Sequence, residues 1–103
     1  MQEDRGGDML TRDISLAGKK AQGIEIALPH ASLVLAIGSN GYVMCGYLNM
    51  EAAEKFNDCA AIVKGVKTVD DLLAGRVVMV SAAARARGIE AGMTGAQALE
   101  RML

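Results

Sequence analysis

A chain of 103 residues is long enough for one domain with one core, and an apolar fraction of 51% with 22% charged residues excludes a disordered chain. Basic and acidic residues number 11 and 12, for a net charge of −1, so a nucleic-acid backbone meets no basic field and nucleic acid is not expected as a partner. The apolar runs are strand-sized, far below the ~20 residues of a membrane span, and the polar stretch Met1–Asp8 has no apolar centre of a signal peptide. Cys45 and Cys59 with one histidine fit a reducing, cytoplasmic setting; neither cysteine has metal-ligand spacing, and no metal or cofactor is expected. Aromatics make up only 3%, so Ala, Val, Ile, Leu and seven Met must fill the core.

Met1–Asp8 reads as a frayed tail. Ile14 and Leu16 then alternate with Asp13 and Ser15, Gly18-Lys19-Lys20 breaks the run, and Ile24, Ile26 and Leu28 alternate again. This predicts two half-buried strands joined by a tight turn, the second ended by Pro29. Ser32–Ile37 and Tyr42–Leu48 are apolar runs around Asn40-Gly41, a dipeptide that tolerates positive φ at both central turn positions, so a hairpin is expected there. Apolar on both faces, these two strands should be central and covered.

The second half changes period. Asn49 caps a predicted helix reaching Phe56, with Met50, Ala53 and Phe56 inward. Cys59–Val66 reads as a strand, and Thr68 caps a helix that presents Leu72 and Leu73 and stops at Gly75. Val77–Val80 alone resembles a strand, but with the Ala-rich segment to Arg87 its length favours one helix over 76–87, stopped by Gly88. Thr94-Gly95-Ala96-Gln97 is a capping box, opening a last helix with Ala98, Leu99 and Met102 on one face.

Three segments carry a resemblance: Gly41-Tyr42-Val43-Met44-Cys45-Gly46-Tyr47-Leu48-Asn49; Gly65 to Leu73; and Gly88 to Gly95 followed by Ala98-Leu99. In order and spacing the chain resembles the YunC-like family of small bacterial and archaeal proteins, DUF1805, over roughly residues 10–103. The resemblance implies a small α/β fold with helices packed on a sheet, and it implies no activity.

Few residues carry chemistry. Cys45 is read as a mid-strand residue beside Gly46, whose missing side chain leaves room for a ligand; the plainer role is a small buried hydrophobe. His30 is the only histidine, hence the only ordinary general base near neutrality, and its plainer role is a polar loop residue after proline. Lys64, Gly65 and Lys67 precede the helix capped by Thr68, a place where an α/β protein can hold an anion, although no phosphate-loop spacing is present. Gly88, Gly92 and Gly95 lack dinucleotide-loop spacing, and Arg85 and Arg87 read as a solvated helix face.

The expectation is therefore a tail over residues 1–9 and a single domain over 10–103, α/β of the α+β type: a mainly antiparallel mixed sheet of about five strands packed by three to four helices. Its expected function is a homo-oligomeric, dimeric binding module that self-associates through apolar surface. It holds a small anionic ligand near Lys64, Gly65, Lys67 and Thr68, with Tyr42 and Asn49 as further ligand-binding candidates. The alternative is a small enzyme using Cys45 as a catalytic nucleophilic thiol, with Tyr42, Asn49 or His30 nearby.

Overall fold

Strand pairing begins at the two-residue turn Ala17-Gly18, whose φ angles of 51° and 78° match the right-handed twist of two antiparallel strands. In the computed structural model, which describes residues 9–103, this turn joins β1 (Met9–Leu16) to β2 (Lys19–Ala27), with Leu16 opposite Lys19. The expected tail Met1–Asp8 lies outside the described residues, and Met9 opens β1.

β3 (Ser32–Gly38) and β4 (Gly41–Met44) form the second hairpin, closed by Gly38 opposite Gly41. Its turn residues are Ser39 and Asn40 rather than Asn40 and Gly41, and neither has positive φ. Docking holds this tip instead. The Asn40 N–H donates to the Met102 carbonyl at 2.7 Å and its Nδ2 to Leu103 O at 3.2 Å. Gly41 permits the close approach, because a Cβ there would lie 2.5 Å from the Cys59 carbonyl oxygen.

After β4 the chain crosses through α1 (Met50–Lys55) to β5 (Ala60–Val63), which pairs with β4 in parallel. Asn49 caps α1 by accepting the Glu51 N–H at 2.7 Å. Ala53 faces inward, whereas Phe56 is 69% exposed at the helix end, against the expectation that it packs. α2 (Val69–Ala74) follows, capped by Thr68, and ends where Gly75 packs so tightly that a Cβ would meet Val63 Cγ1 at 2.5 Å.

The expected single helix over 76–87 is two elements. β6 (Val77–Val80) pairs antiparallel with β5 as a sixth strand, and Ser81 caps the short α3 (Ala82–Ala86). The β-branched valines decide the matter, since Val77 and Val80 are buried against the sheet while Val78 and Met79 point out. The alanines alone supply the helical propensity. α4 (Gly95–Glu100) starts at the capping box of Thr94 and Gln97. The sheet runs β1-β2-β3-β4-β5-β6, so the class is α+β with a mixed, mainly antiparallel sheet and four helices. No helix among the described residues is long and apolar enough to cross a membrane.

Side-chain alternation sorts the core into two unequal layers. Ile14, Ala21, Val34, Ala36, Val43, Ala61 and Val63 pack against Val69 and Leu72 of α2 and Ala98 and Leu99 of α4, with Ile89 and Met102. Leu72, Ile89, Leu99 and Met102 are fully buried, each contributing about 1.5–3 kcal/mol. On the other face only α1 covers the sheet, setting Ala53 over Met44, Ala60 and Ile62. Among the described residues no helix covers the rest of that face, so β4 and β5 are covered on both sides where α1 lies and β2 on one.

Candidate functional site

The parallel pair positions the site. β4 and β5 point the same way, so the loops that leave them, 45–47 and 64–67, emerge at the same end of the sheet. β4 runs on to α1 on one face, while β5 runs on to α2 on the other. Two loops diverging to opposite faces leave a crevice between them, the usual place for a ligand on an open α/β sheet. Here it is an open cleft of about 460 Å³. It is lined by Cys45, Gly46 and Tyr47 after β4, by Lys64, Gly65, Val66 and Lys67 after β5, by His30 and Ala31 ahead of β3, and by Ser32, which opens that strand.

Cys45 lies one residue beyond β4 rather than mid-strand, and it is 3% exposed at the floor of the cleft. Its backbone still continues the ladder, with its N–H donating to Val34 O at 3.1 Å, and its Sγ accepts the Val34 N–H at 3.3 Å. One residue of β3 thus holds both the backbone and the sulfur of Cys45. Leu48 N donates to Cys45 O and closes the turn that throws Tyr47 outward, where it is 58% exposed. Gly46 supports Lys64: a Cβ at 46 would sit 3.3 Å from Lys64 Cγ, so the lysine stem lies across bare backbone. Gly65 has φ +73°, the left-handed conformation that favours glycine, and turns the chain between the two lysines.

Of the residues singled out from sequence, Cys45, His30, Lys64, Gly65 and Lys67 come together in this cleft. Thr68, Tyr42 and Asn49 do not line it. Thr68 Oγ1 accepts the Asp71 N–H at 3.0 Å, and the amino end of α2 is already closed by carboxylates. Glu25 Oε2 accepts from Val69 N at 2.7 Å, and Asp71 Oδ2 accepts from Lys67 N at 3.2 Å. Asp70 pairs with Arg12, whose guanidinium holds that carboxyl below its ordinary range. An anion in the cleft would therefore rest on the lysine ammonium groups and not on the helix end. Asn49 caps α1, and Tyr42 sits at the opposite end of β4, its hydroxyl donating to Asp58 Oδ2 at 2.8 Å.

Tyr47, one of the two tyrosines that flank Cys45 and could line a pocket, does line the cleft, as do Ser32 and Val66, which the sequence does not single out. Tyr47 had a local signal in the glycine before it; Ser32 and Val66 arrive only through strand pairing. Among the described residues no group of three His, Cys, Asp or Glu side chains could hold a metal ion.

Residues 44–102 match the family model described as a domain of unknown function, DUF1805. The chain is 31% identical over 94 residues to the uncharacterised protein YunC of Bacillus subtilis, covering 87% of this chain and 93% of that one. It is also similar to the crystal structure of TA1206, a protein of unknown function from Thermoplasma acidophilum. The TM-score is 0.88 at 40% identity, covering 92% of this chain and 93% of the other. The segments with glycine in the β4, β5 and α3–α4 connections are thus those of a known lineage, and this chain belongs to the DUF1805, YunC-like family.

Proposed function

We propose that this chain is a self-associating binding module that holds a small anion in the cleft at the carboxyl ends of β4 and β5. The observation that supports the reading is convergence: Lys64 and Lys67 from one loop and His30 from another line the same space of about 460 Å³. An ammonium binds phosphate or carboxylate as a point charge, Gly46 gives the Lys64 stem room, and Gly65 leaves open space between the two lysines. Titrating isotope-labelled protein with inorganic phosphate should shift the amides of residues 30–32, 45–47 and 64–67. The double variant Lys64→Ala/Lys67→Ala should weaken binding about tenfold or more. Shifts spread over the surface, or binding untouched in the double variant, would sink the reading.

Self-association rests on the open sheet face. Ile24 stands opposite Leu35, which edges the α1 cluster, and Ile37 is 38% exposed, with no helix over this face of β2 among the described residues. A second copy offers the same uncharged aliphatics, and a patch of ordinary interface size would bury ~800 Å² per partner. Sedimentation velocity at micromolar concentration should give a dimer, and Leu35→Lys should return a monomer that keeps its circular dichroism. A monomer in the parent chain at all concentrations would remove the proposal.

The enzyme reading is favoured by one observation, the Cys45 sulfur at the floor of the same cleft as both lysines and His30. It requires that Cys45 in a Cys59→Ser background react with iodoacetamide while the protein is folded. Reaction only at the rate of global unfolding would leave Cys45 as a core residue.

A further inference from the structure

A second cleft, of about 440 Å³, opens at the other end of the sheet, around the start of β4 and the residues ahead of β5. The geometry points to this cleft as a separate binding site for a small zwitterion, a molecule carrying one ammonium and one carboxylate as a free amino acid does. This goes beyond the anion reading and shares no lining residue with it.

Two opposite charges, Asp58 and Arg87, line this cleft. Asp58 is half-buried on one wall, and Arg87 lies exposed on another. Among the described residues no hydrogen bond or ion pair joins them, and Asp58 faces no cation within bonding distance. Asp58 is held firmly. Its N–H donates to Ala53 O at 2.8 Å, its carbonyl accepts the Ser81 hydroxyl at 2.7 Å, and its Oδ2 accepts the Tyr42 hydroxyl at 2.8 Å. Burial and the neighbouring carboxylate push the Tyr42 phenol up to about 12, so it stays a donor to that carboxylate. Oδ1 accepts no hydrogen bond from the described residues and is free to take an ammonium.

Arg87 Nη1 donates to the Arg101 carbonyl at 3.1 Å, which anchors the guanidinium and leaves the rest of its five-donor fork for a carboxylate. Its charge reaches the floor of the cleft, where it opposes the upward push of burial on the Cys59 thiol. A lone anion entering here meets Asp58, and a lone cation meets Arg87. Only a ligand with both charges satisfies both walls. Ile37 and Ala83 supply an apolar side for its carbon atoms, and Ser39 and Asn40 on the hairpin tip supply polar groups at the rim.

The test is a residue-resolved titration with glycine, β-alanine and γ-aminobutyrate, which differ in the spacing of their two charges, beside propionate and propylamine as single-charge controls. At least one zwitterion should give saturable shifts at residues 39–42 and 57–59, with both controls binding about tenfold more weakly or worse. Asp58→Asn, which keeps the acceptor for Tyr42, and Arg87→Gln should each cost about tenfold in affinity. The Lys64→Ala/Lys67→Ala variant should bind the zwitterion as the parent does, so this site and the phosphate site stand or fall separately. Absence of saturation with all three zwitterions, or propionate binding as tightly as any of them, would overturn the assignment. So would affinity unchanged in both single variants.

Discussion

Gly95→Ala should destabilise the fold by about 3 kcal/mol or more, a large part of the ~5–15 kcal/mol that holds a domain together. Local propensity argues the opposite sign, since alanine is favoured over glycine in a helix by about 1 kcal/mol. The packing decides. Gly95 is buried at the first turn of α4, where its N–H donates to Gly75 O at 2.9 Å and its Cα faces the backbone of α2. A Cβ at this position would lie inside the contact shell of the Leu72 carbonyl oxygen and 3.2 Å from the Leu73 Cα. Both atoms belong to a helix backbone and cannot rotate aside as a side chain would. The two helices must separate, and Leu72 and Leu99, both fully buried, lose contact with the same layer. Urea unfolding followed by circular dichroism reads the loss directly. Gly92→Ala is the control: its φ of +97° is strained for alanine, but nothing lies within 4 Å, so its loss should be about 1 kcal/mol. A Gly95→Ala protein as stable as the parent would mean that α2 and α4 are not in backbone contact.

That contact shows which features the sequence makes legible and which it hides. The caps were legible because a cap is a local bargain between one side chain and an N–H two or three residues on. Asn49, Thr68 and Thr94 each behave that way. The β1–β2 hairpin is legible from period-two alternation and the β3–β4 hairpin from two apolar runs around Asn40-Gly41, yet the positive-φ turn chemistry belongs to the other hairpin. Positive φ belongs to Ala17-Gly18, and the Ser39-Asn40 tip is held by Met102 and Leu103, more than sixty residues away along the chain. The segment 76–87 misled because its helical alanines follow its valines without a break, and only the pairing of Val80 with Ala61 separates them. The sites follow the same division. Lys64, Gly65 and Lys67 are adjacent in sequence and were found together. Asp58 and Arg87 stand on two elements and share a cleft only because β4, β5 and α3 meet there, so Arg87 reads as a plain surface residue until the fold is known.

Ser81→Ala should cost about 2–4 kcal/mol, more than any exposed substitution. Ser81 is the only polar side chain fully buried among the described residues, and its hydroxyl is saturated. Its Oγ accepts the Ala60 N–H at 3.0 Å and the Ala84 N–H at 3.1 Å, while its proton goes to the Asp58 carbonyl at 2.7 Å. One atom thereby caps α3, completes the start of β5 and pins the loop that carries Asp58. Alanine removes that atom and leaves two donors and one acceptor without the partner it supplied, in a place that excludes water; each group stranded this way costs about 1–3 kcal/mol, partly relieved by relaxation. With about 4–8 °C per kcal/mol for a domain near this size, the midpoint should fall by roughly 10–25 °C in calorimetry. Ser15→Ala, exposed on β1, should change it by no more than about 0.5 kcal/mol. The loss should also be felt at the far cleft, because an Asp58 backbone released from Ser81 no longer aims its carboxylate at a fixed point. Zwitterion affinity should therefore fall in Ser81→Ala at a temperature where the variant is still folded, with phosphate binding between Lys64 and Lys67 unchanged. A variant as stable as the parent would mean that water enters beside β5 and takes over the hydroxyl's three bonds.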